Sequence, residues 1–202
     1  MQSSCKQLHR QIQQANKRLQ RLAVERERFE NFQKEQIQLR LRILRELGYV
    51  DQQQLLARGQ VAAKINGYEM QITELLFAGL FEGLSEDEIN VLAISIVCER
   101  RKDRISYLKM RDSKIRCLLE DANHLLERVR MVENRYGIPD SLPHLETILS
   151  TAMWSWSQGC EFETLKEFAD LSDGDFVRSF RLVIDLLRQM RPVSYTHLTL
   201  PT

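Results

Sequence analysis

The residues of this 202-residue chain best suited to chemistry are cations. Arg100, Arg101, Lys102, Arg104, Lys109, Arg111, Lys114 and Arg116 crowd one stretch, opposed only by Asp103 and Asp112. Further on, Arg178, Arg181, Asp185 and Arg188 recur at steps of three and four, so on a helix they share a polar face. Clustered guanidinium and ammonium groups suit a phosphate backbone, where binding is electrostatic and carries little sequence information. The structural alternative for Arg178 is a pair with Asp175 or Asp185. Lys and Arg number 29 against 28 Asp and Glu, a net charge of +1, so any polyanion site must be local.

Other chemistry lacks its residues. No G-x-x-x-x-G-K-[ST] occurs to wrap a nucleotide's phosphates, and no D-E-x-H or similar acidic cluster occurs to hold its metal. His9, His124, His144 and His197 are scattered, without metal-ligand spacing. Cys5, Cys98, Cys117 and Cys160 lie far apart with no C-x-x-C, which reads as reduced thiols in a cytoplasmic protein. No catalytic residue, metal site or cofactor is therefore expected in this chain. No apolar run approaches the roughly 18 residues of a membrane span, so no membrane partner is expected. Trp154 and Trp156 could stack on bases, but two residues apart on a helix they cannot share a face, and both read as packing residues. Glu86 and Asp87 read as first-turn charge favoured by a helix dipole.

The elements that must position the cations are helical. From Leu8 the apolar positions run Ile12, Ala15, Leu19, Leu22 and, past Arg26, Phe29, a heptad seam. No Gly or Pro precedes Gly48, so residues 1–47 should form one long coiled-coil-like stalk helix. Residues 1–50 hold 11 Lys and Arg against five Asp and Glu; the excess suits a solvated coiled-coil face or a stalk facing phosphates. A small β-hairpin fits near 49–58. Ser85 and Glu88 form a capping box opening a helix that is apolar nearly all round and should sit centrally. A long helix follows with the stripe Ile115, Leu118, Leu119, Ala122, Leu125, Leu126, Val129 and Val132, stopped by Gly137 and Pro139. Helices are then expected from about 141 to 156, from about 161 to 169, and from near Ser172 with the core stripe Phe176, Phe180, Val183, Leu187 and Met190. The fold class is all-α: a helical bundle over 48–191 preceded by the stalk helix. Residues 192–202 break the pattern and are expected to be a disordered, non-native tail, resembling a translated sequencing adapter.

Four stretches in register, "RILRELGYVD", "ARGQVAAKING", "ITELLFAGLFEGLSEDEINVLAI" and "WSWSQGCEFETLKEFADLSDGDFVRSFRLVIDLLRQM", resemble the C-terminal DSHCT region of exosome-associated DExH-box RNA helicases, the Ski-type and Mtr-type enzymes and their bacterial relatives. The resemblance spans roughly residues 40–191. It implies a parent enzyme whose RecA-like lobes use ATP and magnesium, a helical domain closing a channel around single-stranded RNA, and an RNA-degradation complex as partner. The long first helix then resembles the descending arm of a stalk, and residues 100–135 resemble in position the helix lining the RNA path. A Gly-x-x-x-Arg pattern after a Ser-Asp turn is similar to Gly174 and Arg178, making Arg178 the first nucleic-acid-binding candidate, Arg181 its support, and Arg111 and Lys114 a second group. Gln60 after Gly59, and Leu182 after Arg181, depart from the family's arginines. The competing functions are a helical protein-interaction scaffold and a helix-turn-helix DNA binder, the latter lacking a basic recognition face.

Overall fold

A computed structural model of the chain describes residues 2–52, 54–98, 112–138 and 142–199. Among these it contains eight helices and one two-stranded hairpin, the all-α architecture expected. The chain divides into two compact units, residues 1–44 and 45–202.

The first unit is helix α1 as far as residue 44; the helix runs from Gln2 to Glu46, so its last two residues belong to the second unit. Its length follows from 47 residues without Gly or Pro, and it ends where Gly48 takes φ +78°, a conformation that costs a residue with a Cβ.

The second unit opens with strands β1 (Val50–Asp51) and β2 (Gln54–Leu55), paired antiparallel with Val50 opposite Leu55. Helix α2 (Ala57–Ala62) follows, seated on the hairpin. The Leu56 N–H donates to the Tyr49 carbonyl at 2.9 Å, and a Cβ on Gly59 would lie 2.2 Å from that same oxygen. Helix α3 (Glu69–Phe77) packs on α2. Across this junction Arg58 Nε donates to Glu74 Oε1 at 3.2 Å while its guanidinium lies 4.7 Å from the Phe77 ring centroid. Burial first, and the Glu74 carboxylate second, push the Tyr49 phenol well above its ordinary range.

Helix α4 (Glu86–Val97) is the centre of the bundle and packs against α6, α8 and α5. Val91, Leu92, Ala93, Ile94, Ile96 and Val97 are all buried, as an all-round apolar helix requires. Helix α5 (Ser113–Arg135) buries Ile115, Leu118, Leu119, Ala122, Leu126, Val129 and Val132, while Leu125 is only half-buried. Helices α6 (Ser150–Ser157), α7 (Phe162–Leu165) and α8 (Asp173–Thr199) complete the unit. α6 lies so close to α4 that Ser95 Oγ and Ser150 Oγ hydrogen-bond at 3.0 Å in a fully buried setting.

Two expectations are corrected. The helix anticipated over 141–156 exists only from Ser150, because side chains of α5 take over the backbone upstream. Glu133 Oε2 accepts the Leu142 N–H at 2.6 Å and Asn123 Oδ1 accepts the Leu145 N–H at 3.0 Å. Arg130, 3% exposed, donates from Nε to the Leu142 carbonyl at 3.0 Å and from Nη2 to the Pro143 carbonyl at 3.4 Å. Its remaining N–H groups reach Glu127 Oε2 and both oxygens of Asn123, so all five guanidinium donors are satisfied. Second, α8 buries Leu186 in place of Leu187 and Met190, which are half-buried: below Val183 the core takes the residue three along rather than four. The backbone of α8 is helical through Pro192 to Thr199.

Gly59→Ala should lower stability by about 2 kcal/mol, since the added methyl must push the hairpin carbonyl away. Thermal unfolding checks this as a fall of roughly 4–8 °C in Tm.

Candidate nucleic-acid interface

The four candidate cations fall in different settings. Arg111 lies outside the described residues, as do Arg100 to Lys109. Lys114 occupies the first turn of α5, whose start is capped by Asp112 accepting the Lys114 N–H at 2.8 Å. Its ammonium reaches across to α4, where Nζ sits 2.6 Å from Glu88 Oε1. Glu88 is the N3 residue of the capping box: Oε2 accepts the Ser85 N–H at 2.7 Å and its own N–H donates to Ser85 Oγ at 3.3 Å. Lys114 therefore compensates a buried carboxylate inside the fold. The hydrogen bond from Lys114, and next that from the Ser85 N–H, hold the Glu88 carboxyl below its usual range despite burial.

Arg178 and Arg181 stand on the exposed side of α8, opposite the buried Phe176, Phe180 and Val183. That side is set by the helix start, where the Ser172 hydroxyl accepts the Asp175 N–H at 3.2 Å and donates to Asp175 Oδ2 at 2.8 Å. Asp173 and Asp175 in the first turn suit the positive end of the dipole. Gly174 lies one turn before Arg178, and a Cβ there would meet only Ser172 Oγ at 3.9 Å, so packing within the fold does not demand glycine. Asp185 is paired with Arg188 at 3.3 Å. Val177 and Ile184 are exposed on the same helix, and Trp156, 40% exposed, lays its ring 4.8 Å from that of Phe180. Trp156 thus both packs and reaches the surface, whereas Trp154 is half-buried.

Residues 52–200 match the DSHCT (NUC185) domain family. The chain belongs to the DSHCT family. It is 26% identical over 166 residues to the exosome RNA helicase MTR4 of Homo sapiens, covering 78% of this chain and 16% of that protein. It is 24% identical over 163 residues to the ATP-dependent RNA helicase mtr4 of Schizosaccharomyces pombe, covering 78% of this chain and 14% of the relative. Superkiller complex protein 2 of Homo sapiens is 26% identical over 164 residues, 75% of this chain and 12% of that protein. The chain spans less than a fifth of the length of these curated relatives. The family match runs through residue 200 and so includes the stretch after Arg191 that sequence reading set aside.

For this DSHCT chain the arrangement offers charge and shape. Among the described residues no three His, Cys, Asp or Glu side chains come together to hold a metal. No described helix is long and apolar enough to cross a membrane. A cleft of about 820 Å³ opens between the start of α3, the end of α4 and the 142–145 segment, lined by Gln71, Val97, Glu133 and His144 among others. Both carboxylates of its lining accept backbone N–H groups, Glu133 that of Leu142 and Glu69 that of Gly67. Sequence reading missed Arg130, although Asn123, Glu127 and Arg130 at helical spacing were the signal that one polar stripe of α5 faces inward.

Because the folded value for Glu88 is depressed, its contribution is complete above the ordinary glutamate range, about 4.3, and is lost as pH falls through the lower folded value. Lys114→Met should raise the Glu88 midpoint and move the acid loss of stability to higher pH. Urea unfolding between neutral and strongly acidic pH reads this directly, and a pH profile unchanged by the substitution contradicts the assignment. In the same assay Ser85→Ala should cost about 1 kcal/mol at neutral pH through the lost cap.

Proposed function

We propose that this chain is the accessory portion of an ATP-dependent RNA helicase, guiding single-stranded RNA and buttressing a RecA-like core carried elsewhere in the same protein. The family match over 52–200 carries the reading. The exposed Arg178 and Arg181 on one helix support it, because RNA guided without sequence choice needs cations held outward on a rigid element. Gly174 supports it too, leaving open surface one turn from Arg178 for a backbone to approach. Lys114 is a weaker candidate than its position in sequence implied, since its ammonium is paired with Glu88.

ATP and magnesium act, on this reading, in the core lobes, and the chain alone neither hydrolyses ATP nor separates strands. The names of the relatives, one an exosome helicase and another a Superkiller complex protein, support an RNA-degradation complex as partner. The spacing of the cysteines supports a cytoplasmic location.

Fluorescence anisotropy with a single-stranded RNA at low and high salt tests the binding claim. The chain should bind weakly, and affinity should fall steeply with salt, each phosphate contact adding roughly 0.7 to the log–log slope. Arg178→Ala should weaken binding by about 1 kcal/mol and flatten the slope by one contact. Unchanged affinity with a lowered Tm would assign Arg178 to the fold instead.

A further inference from the structure

The cleft between the start of α3, the end of α4 and residues 142–145 is lined by side chains that the fold encloses but leaves half-used. Gln71 is 7% exposed, yet among the described residues its side-chain amide makes no hydrogen bond. Glu133 is 9% exposed; its Oε2 accepts the Leu142 N–H, and Oε1 has no partner among the described residues. The unpartnered side-chain polar atoms sealed from solvent are, among the described residues, Tyr49 Oη and Thr73 Oγ1. The Gln71 amide and Glu133 Oε1 are therefore not sealed, and the opening they share is the cleft that both residues line. An enclosed amide and an enclosed carboxylate oxygen without partners favour a ligand that brings its own N–H donors.

The rest of the lining narrows the class of ligand. Val97, Leu142 and Leu145 are buried apolar walls, Leu182 is half-buried, and no Lys or Arg is among the described lining residues. A phosphate or carboxylate finds no cation there. A flat apolar ring with N–H groups on its edge suits the cleft, whose volume of about 820 Å³ falls within the roughly 300–1,000 Å³ of small-ligand sites. Adenine and cytosine each carry an amino donor beside a ring-nitrogen acceptor, which a glutamine amide matches with both of its groups and a carboxylate meets at the amino N–H. Uracil offers a single N–H between two carbonyl oxygens, which would face the carboxylate. Leu182 follows Arg178 by one turn of α8, so a base in the cleft leaves its phosphate toward that exposed arginine.

We propose that the cleft receives one nucleobase of the bound strand, with the Gln71 amide and Glu133 Oε1 selecting adenine or cytosine over uracil. The inference rests on the RNA reading of this chain and adds base choice at one position to binding that is otherwise electrostatic.

Fluorescence anisotropy of the full chain with labelled oligo(A), oligo(C) and oligo(U) of equal length tests it, together with the NMR signal of the Gln71 side-chain NH2. Oligo(A) and oligo(C) should bind at least about fivefold tighter than oligo(U). Q71L, which puts an apolar side chain in an enclosed position, should bring oligo(A) and oligo(C) to within about twofold of oligo(U) by weakening the first two. L182W, which fills the cleft, should do the same. The Gln71 NH2 signal should shift with oligo(A) and not with oligo(U). No binding to any of the three RNAs overturns the RNA reading and this inference with it. Binding without base preference, a preference that survives both variants, or an equal loss for all three RNAs in both variants overturns the base site alone. So does a Gln71 signal that shifts with N-acetyl-arginine amide and not with oligo(A), which would assign the carboxylate-lined cleft to an arginine of a protein partner.

Discussion

A guanidinium buried in the second unit holds together the part of the fold that has no regular structure. Arg130 is almost fully enclosed, and its five N–H groups reach Leu142 O, Pro143 O, the Glu127 carboxylate and both oxygens of Asn123. A backbone outside a helix must find partners for each buried N–H and C=O, and here α5 supplies them from side chains. Asn123 and Glu133 supply the acceptors for the amides, Arg130 the donors for the carbonyls. Chain direction into α6 is set by this arrangement. The segment then adds to α4, where the Ser95 carbonyl accepts the Glu146 N–H at 2.9 Å, and α6 follows with Ser150 against Ser95. Removing one partner of such a network leaves others buried and unpaired, which costs more than the network contributes over an apolar core.

The same logic divides the cations of the chain. Arg58, Lys114, Arg130 and Arg135 all pair with carboxylates, three of those carboxylates lying on other elements: Glu74, Glu88 and Glu46. Cations engaged in this way serve the fold, so a basic residue in the sequence is by itself a poor guide to a polyanion site. Arg178 and Arg181 are placed on the exposed side of a helix whose opposite side is anchored by Phe176 and Phe180. The T-shaped Phe176–Phe180 pair, with Trp156 tilted against Phe180, fixes the rotation of α8 and hence where the arginines point.

Periodicity made the helices legible and non-local partners did not. The α4 capping box, the all-round apolar α4, the α5 stripe and the hairpin after Gly48 were readable because each depends on residues within a turn or two of one another. The shortened α6 was not. Residues 142–149 carry an apolar pattern compatible with helix, and side chains 9 to 22 residues earlier in the chain divert them. Arg130 was hidden for the complementary reason, since an arginine beside Val129 and Met131 reads as the solvated edge of a stripe. Lys114 was legible as a cation but not as the partner of Glu88, 26 positions away. Of the candidate arginines, Arg178 and Arg181 stand at the surface as their polar spacing implied, and Arg111 lies outside the described residues.

Through Asn123, Arg130 and Glu133, α5 holds residues 142–146 as firmly as it holds itself. Native-state amide hydrogen exchange, resolved by residue, measures that directly. The amides of Leu142, Leu145 and Glu146 should exchange with opening free energies close to those of the buried middle of α5, so that the segment and the helix open together. Exchange at those three amides approaching the unprotected rate, while α5 stays protected, would contradict it and leave Arg130 as a buried charge without the role assigned here.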